Sequence, residues 1–289
     1  MKCEICGSEN SELVSEKLRY PTNQKVYRCK DCGLVYIFPK MTPEEERRFY
    51  EREYGEIYST EKGTTPSDLY QSRLPDAQLY SDWVSSYLSK TDNCLEIGCA
   101  SGYFLKTIES KVNSISGIET HILLKKYCED IGISMFNELG DVPDKSFDKI
   151  FLFFVVEHIG NPTQYLKDLS KKLKSNGQIM LVVPNVEDVL LSEYNIPAFP
   201  SFYYTPAHQY YYSRDTLSKL FEKVGFTNFE IKPIQRYDLS NHVHWMMNSK
   251  PGGAGKYNHI YSEELNKEYK KCLEEKFVCD TLFAIITMN

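Results

Sequence analysis

Three groups of residues have the types and spacing that chemistry needs. Cys3-x-x-Cys6-Gly7 and Cys29-x-x-Cys32-Gly33 are matching knuckles with 22 residues between them. Each pair can wrap one metal ion, and the glycine after it suits the tight turn that faces backbone N–H groups toward the sulfurs. Four thiolates at these spacings describe a tetrahedral structural zinc site, closed to water. Two unrelated thiol pairs in a reducing compartment would not be expected to share both the spacing and the glycine. Neither pair opens a visible βαβ helix, so a redox role fits less well. The second group lies in residues 93–105, N-C-L-E-I-G-C-A-S-G-Y-F-L. Cys94, Leu95 and Ile97 read as a short buried strand, Gly98, Ala100 and Gly102 as a turn of small residues, and the stretch from Tyr103 as a helix. A strand that runs through such a turn into a helix N-terminus is how α/β proteins hold a nucleotide, and Glu96 can accept hydrogen bonds from it. A dinucleotide fingerprint would need glycine at 103, where Tyr103 stands. The third group is Glu157, His158 and His208, titratable side chains beyond predicted strand ends.

The elements that must position these groups alternate strand and helix. Residues 114–119 are a second strand whose terminal Glu119 lies 21 residues beyond Gly98, the distance at which an acid meets ribose hydroxyls. A third strand is expected at 133–136, followed by Asn137 and Glu138. The run F-D-K-I-F-L-F-F-V-V at 147–156 is the clearest buried strand, with Glu157-His158 directly after it. A helix from Asn161-Pro162 to Lys174 is broken by Asn176-Gly177, and 178–183 form the fifth strand. Residues 186–212 are crowded with tyrosine and phenylalanine and contain His208. Ser213 then caps a helix that Gly225 ends. Strands at 226–234 and 281–287 enclose an insertion, 235–280, that holds N-H-V-H-W at 241–245 and a charged helix at 262–276. The alternation of His242 and His244 suggests a strand face. Before the glycine turn, Thr42 opens a helix with Pro43 at its first position, residues 54–66 read as a linker or flap, and residues 68–90 carry helical periodicity interrupted by Pro75.

Small residues at 98, 100 and 102, with an acid two positions before the first, match motif I of class I S-adenosylmethionine (SAM) dependent methyltransferases. The later run F-D-x-I…E-H…L-K-x-N-G-x-I-x-L-x-V-P-N and the stretch H-Q-Y-Y-Y-S-R-D-T-L-x-x-L-F-E-x-x-G-F extend the match, and the chain resembles that family. The resemblance implies an α/β fold with a seven-stranded Rossmann-like methyltransferase sheet of order 3-2-1-4-5-7-6, preceded by a small N-terminal zinc ribbon. It divides the chain into a ribbon at 1–40, a helical linker and cofactor-covering segment at 41–92, and a methyltransferase domain at 93–289. It also implies a SAM site built from Glu96, Gly98, Cys99, Ala100, Gly102, Tyr103, Glu119, Asn137, Glu138, Phe154 and Val155.

A formal charge of −6 and a pI near 5.6 give no electrostatic reason to expect nucleic acid, so that partner is expected to be absent. No apolar run is long enough to span a membrane, and the first residues are not those of a signal peptide. Nine cysteines without a secretion signal point to thiols and metal, hence to the cytoplasm. The expected acceptor is a small molecule. By resemblance to surface-polysaccharide and natural-product sugar methyltransferases, it is a hydroxyl of a sugar or nucleotide-sugar, with the tyrosines as a lid or a stacking platform. His208 is the expected base, with His158 and Glu157 as rivals, and His242 and His244 as further alternatives. Two other functions fit the motifs: an RNA methyltransferase that holds its substrate with the ribbon, and a non-catalytic SAM-binding scaffold.

Overall fold

The structure, a computed structural model, describes residues 2–42, 44–45 and 65–288. Most of the stretch expected as a helix after Thr42 and as a linker at 54–66 lies outside the described residues. Its first bonds are visible. Thr42 N–H donates to Glu45 Oε2 at 2.8 Å while Glu45 N–H donates to Thr42 Oγ1 at 3.2 Å, a reciprocal cap.

Eleven strands among the described residues form two sheets. β1 (Ser11–Ser15), β2 (Lys25–Cys29), β3 (Val35–Phe38) and β9 (Tyr210–Tyr211) form one, in that order. The other holds β4 (Asn93–Ile97), β5 (Ser114–Ile118), β6 (Ser134–Phe136), β7 (Phe147–Phe153), β8 (Leu173–Pro184), β10 (Phe229–Ile234) and β11 (Thr281–Thr287). Its order is β6-β5-β4-β7-β8-β11-β10. Counted within this sheet alone the order reads 3-2-1-4-5-7-6. It departs from that numbering along the whole chain because β1–β3 and β9 build the smaller sheet. β4 pairs in parallel with β5 and with β7, and β5 with β6.

By contact density the chain divides into two compact units. One comprises Met1–Lys40, Phe154–Tyr165 and Leu181–Ala284; the other comprises Met41–Phe153, Leu166–Met180 and Ile285–Asn289. In the second unit the core is aromatic at the end of β7. Phe104 meets Phe151 and Phe153 edge-on at 5.0 and 4.7 Å, and Tyr80 stacks on Phe153 at 4.5 Å. Tyr80 belongs to the helix Leu74–Val84, which packs beside the helix Tyr103–Ile108. Pro75 sits in the first turn of that helix, where a missing N–H costs nothing, so the expected interruption is a helix start.

In the first unit, β3 pairs antiparallel with β9, Tyr36 opposite Tyr210. Val26, Val35 and Ile37 then share a core with Val186, Tyr204 and Tyr211. Between the cysteine knuckles, Leu18 and Val26 join this core, so that segment packs against the tyrosine-rich segment. Tyr204, Tyr210, Tyr211 and Tyr212 are each 0–1% exposed. These four rings build a core and do not form a lid. The helix Arg214–Val224 has the expected cap, Ser213, and the expected stop, Gly225 at φ +100°.

Three expected elements differ. The helix after Asn161 ends at Ser170 instead of Lys174, and β8 begins at Leu173, passing Asn176 in the left-handed region at φ +60°. N-H-V-H-W lies in a helix, Leu239–Asn248, capped by Asp238, whose side chain accepts from Asn241 N–H at 2.8 Å. A four-residue alternation cannot outweigh that cap together with the apolar positions that follow.

Candidate functional site

The four cysteines of the knuckles lie together, with all four Sγ atoms within 4.8 Å of one another. Cys3 Sγ is 3.4 Å from Cys32 Sγ, and Cys6 Sγ is 3.5 Å from Cys29 Sγ. Tetrahedral thiolates at about 2.3 Å from a metal stand roughly 3.8 Å apart, close to these spacings. Gly7 (φ +75°) and Gly33 (φ +88°) adopt the left-handed turns expected of them, each donating back to the first cysteine carbonyl of its knuckle at 2.9 Å. All four are free thiols.

The glycine turn belongs to the other unit. Glu96, at the carboxyl end of β4, is 2% exposed, and its Oε2 is buried without a hydrogen-bond partner among the described residues. Burial raises its carboxyl pKa well above the usual range, with Cys128 and Glu119 adding to the effect. Gly98, Ala100 and Gly102 all have positive φ, +68°, +48° and +73°. A Cβ on Gly102 would stand 2.3 Å from Ile133 Cδ1. The turn is tied down from within: Gly98 and Cys99 N–H both donate to Ile118 O at 2.8 and 3.1 Å, and Gly102 N–H donates to Cys99 O at 2.8 Å. Ala100 N–H donates to Glu119 Oε2 at 2.9 Å, while Glu119 Oε1 accepts from His121 N–H at 2.8 Å. Glu119 is therefore a brace for the turn, a role its spacing did not reveal, and each of its oxygens keeps a second lone pair. Burial pushes its carboxyl up, opposed by the N–H groups of His121 and Ala100.

Sequence reasoning also passed over Ser101, whose Oγ is fully buried and unpartnered among the described residues. An uncapped buried acid and hydroxyl beside a turn of small residues fit a polar ligand, because such groups are seldom left without one. Cys99 is buried and Tyr103 half-buried at the start of its helix, whereas Asn137 and Glu138 are exposed and Asn137 accepts from Lys125 Nζ. Phe154 and Val155 fall in the first unit.

That unit holds the third group. Phe154 takes φ +58°, a conformation that a bulky residue adopts only when its surroundings enforce it. The chain then enters the short 3-10 turn Val156–His158. Gln209 N–H donates to Glu157 O at 2.7 Å, which draws the segment before β9 against this turn. Glu157, His158 and His208 consequently converge, with one ligand atom of each within 4.8 Å of the others. The two imidazoles meet edge-on at 4.6 Å, and His158 Nδ1 lies 3.0 Å from Ala207 O. Glu157 is fully buried, with neither oxygen partnered among the described residues, and burial pushes its carboxyl up to about 8. Burial lowers His158 to about 4, against the favourable Ala207 carbonyl, and holds His208 well below the usual range, helped by His158 and Arg19. His242 and His244 lie apart from this group, buried in their own helix. His242 Nδ1 is 2.6 Å from Tyr269 OH, a structural contact.

A family model described as a methyltransferase domain matches residues 70–231. The chain belongs to the methyltransferase family. Its activity is that of a class I SAM-dependent methyltransferase, as motif I and the sheet had implied. The methyltransferase is 31% identical over 191 residues to a protein named tRNA U34 carboxymethyltransferase from Helicobacter pylori strain J99, a match covering 58% of this chain and 70% of the relative. A protein of the same name from Campylobacter jejuni subsp. jejuni serotype O:23/36 is 29% identical over 157 residues, covering 50% of this chain and 52% of the relative. Among solved structures, a SAM-dependent methyltransferase from Archaeoglobus fulgidus matches at TM-score 0.49 and 19% identity, covering 73% of this chain and 94% of the other.

The relatives overturn one expectation. Net charge had argued against nucleic acid as a partner, yet proteins named for a tRNA modification share this domain. Net charge sums over the whole surface, whereas binding depends on a local face. They also lend nothing to the expected role in polysaccharide biosynthesis. Among the described residues no helix is long and apolar enough to cross a membrane.

Proposed function

We propose that this methyltransferase modifies RNA, with a tRNA as the acceptor. The observation that carries the reading is the 31% identity, over more than half of the chain, to a relative named tRNA U34 carboxymethyltransferase. The sugar-hydroxyl reading loses support because four of the segment's tyrosines, Tyr204, Tyr210, Tyr211 and Tyr212, are buried and offer no ring face for a sugar to stack on. Charge distribution removes the earlier objection. Residues 1–40 contain seven Lys and Arg against five Asp and Glu, a net +2 in a chain of −6. Lys17 and Arg28 are exposed there. The ribbon is thus the RNA-holding module, and Cys3, Cys6, Cys29 and Cys32 hold one structural zinc ion that keeps it folded.

SAM supplies a methyl group already activated on its sulfonium. The protein's part is to position the acceptor and exclude water, and positioning alone can supply roughly 7–11 kcal/mol. Glu96, Ser101 and Glu119 are the groups that hold the cofactor around the 98–102 turn. Glu157, His158 and His208 serve the acceptor, since ligands of open α/β sheets gather beyond the carboxyl ends of the strands and this group follows β7. Filter binding of tRNA across a salt series tests the reading. A steep salt dependence whose slope falls by about 1 for each of Lys17→Ala and Arg28→Ala supports it. Binding with no salt dependence, or none at all at low salt, refutes it.

A further inference from the structure

Glu157 presents two carboxylate oxygens, both fully buried and both without a partner among the described residues. His208 adds an Nδ1 in the same condition, and Tyr212 adds a hydroxyl. A buried carboxyl left without a hydrogen bond is costly, and a native fold keeps one when a guest completes it. His158 narrows the choice of guest. Its Nδ1 faces the Ala207 carbonyl at 3.0 Å, and a carbonyl can only accept, so Nδ1 carries the proton and the lone pair sits on Nε2. That is the arrangement of a metal-binding histidine, whose second nitrogen is oriented by a backbone acceptor.

We infer that Glu157, His158 and His208 form a site for one divalent transition-metal ion, separate from the four cysteines. The ligand atoms lie within 4.8 Å of one another, a span one ion can bridge with bonds of about 2.0–2.2 Å after small side-chain adjustment. Two imidazoles and one carboxylate suit zinc, cobalt or nickel better than magnesium or calcium, which prefer all-oxygen cages. Three protein ligands leave positions open for water or for an oxygen of a bound ligand, as in a catalytic site and unlike the closed cysteine set. The backbone around the cluster is built to hold it. Phe154 is fixed at φ +58°, Gln209 N–H ties the two segments at Glu157 O, and His208 N–H donates to Thr205 O at 3.1 Å. Tyr211 OH secures Thr205 in turn, accepting from its N–H at 2.7 Å. The inference does not depend on RNA being the acceptor.

Cobalt titration of the full chain, its cysteines first filled with zinc, tests the site. One further equivalent of cobalt is expected, with visible bands but without the intense thiolate-to-cobalt charge-transfer absorption of a cysteine site. Glu157→Gln, which keeps side-chain shape, and His208→Ala should each weaken cobalt binding at least tenfold while the zinc content of the cysteines stays at one equivalent. Wild-type protein that takes up no second metal overturns the site. So does cobalt that appears only with thiolate absorption, or that binds both variants as tightly as wild type. Zinc content and thermal unfolding measured on each variant show that any loss comes from the ligands and not from misfolding.

Discussion

Glu119 Oε2 accepts a 2.9 Å hydrogen bond from the backbone N–H of Ala100. One carboxylate thus fixes the glycine turn, and on the proposed reading it also receives the cofactor's ribose. Glu119→Ala removes both contributions and should weaken SAM binding by about 1.5–3 kcal/mol. Calorimetry on folded protein that shows unchanged affinity would place the ribose elsewhere.

Gly102 is limited by space as well as by its backbone. Its φ is +73°, and a methyl group added there would meet Ile133 Cδ1 at 2.3 Å. Gly102→Ala should therefore cost about 1–3 kcal/mol by thermal or urea unfolding. Ile133→Val deletes the opposing methyl, so adding it should restore part of the loss. A double variant no more stable than the sum of its singles would mean the clash is not the cause.

Asp188 gives a pH test. Burial, with Asp280 adding, raises its carboxyl to about 7 from the usual 3.8. Between roughly pH 4 and 7 the folded chain keeps a proton that the unfolded chain has released, so stability falls as pH rises through that window, by as much as about 4 kcal/mol. Asp188→Asn keeps the cap on Leu190 N–H and cannot ionise. Its advantage over wild type should be small near pH 4 and grow toward pH 8. A constant difference across that range would show that Asp188 ionises normally.

On the proposed reading, acceptor-side roles separate from cofactor binding. His208→Ala should leave SAM affinity intact while kcat falls about 10²–10⁴-fold, the usual contribution of a group that handles the acceptor's proton or orients its oxygen. His158→Ala is the companion. Near-normal turnover in both variants would remove the Glu157 cluster from the reaction.

What could be read from the sequence was local. The knuckles and the glycine turn announce themselves because neighbouring residues set their turns, and Ser213 and Gly225 mark a helix by their own side chains and φ. The tyrosines misled because a ring with a hydroxyl suits either a core or a wet surface. Only the pairing of Tyr36 with Tyr210, far apart in sequence, decides that they are buried. The same distance hid the partners of Glu157, which the Gln209 backbone contact brings to His208. The contacts of Arg236 were hidden for a similar reason. Its Nε reaches Asp280 at 3.4 Å and its guanidinium lies over Phe154 at 4.6 Å, contacts no motif encodes.

Transfer of label from methyl-labelled SAM to purified tRNA, run beside nucleotide-sugars with the same protein, tests the proposed acceptor most directly. Label should appear in tRNA, be lost with Glu119→Ala at limiting SAM, and be absent from the sugars. Label in a nucleotide-sugar with none in tRNA would contradict RNA as the substrate.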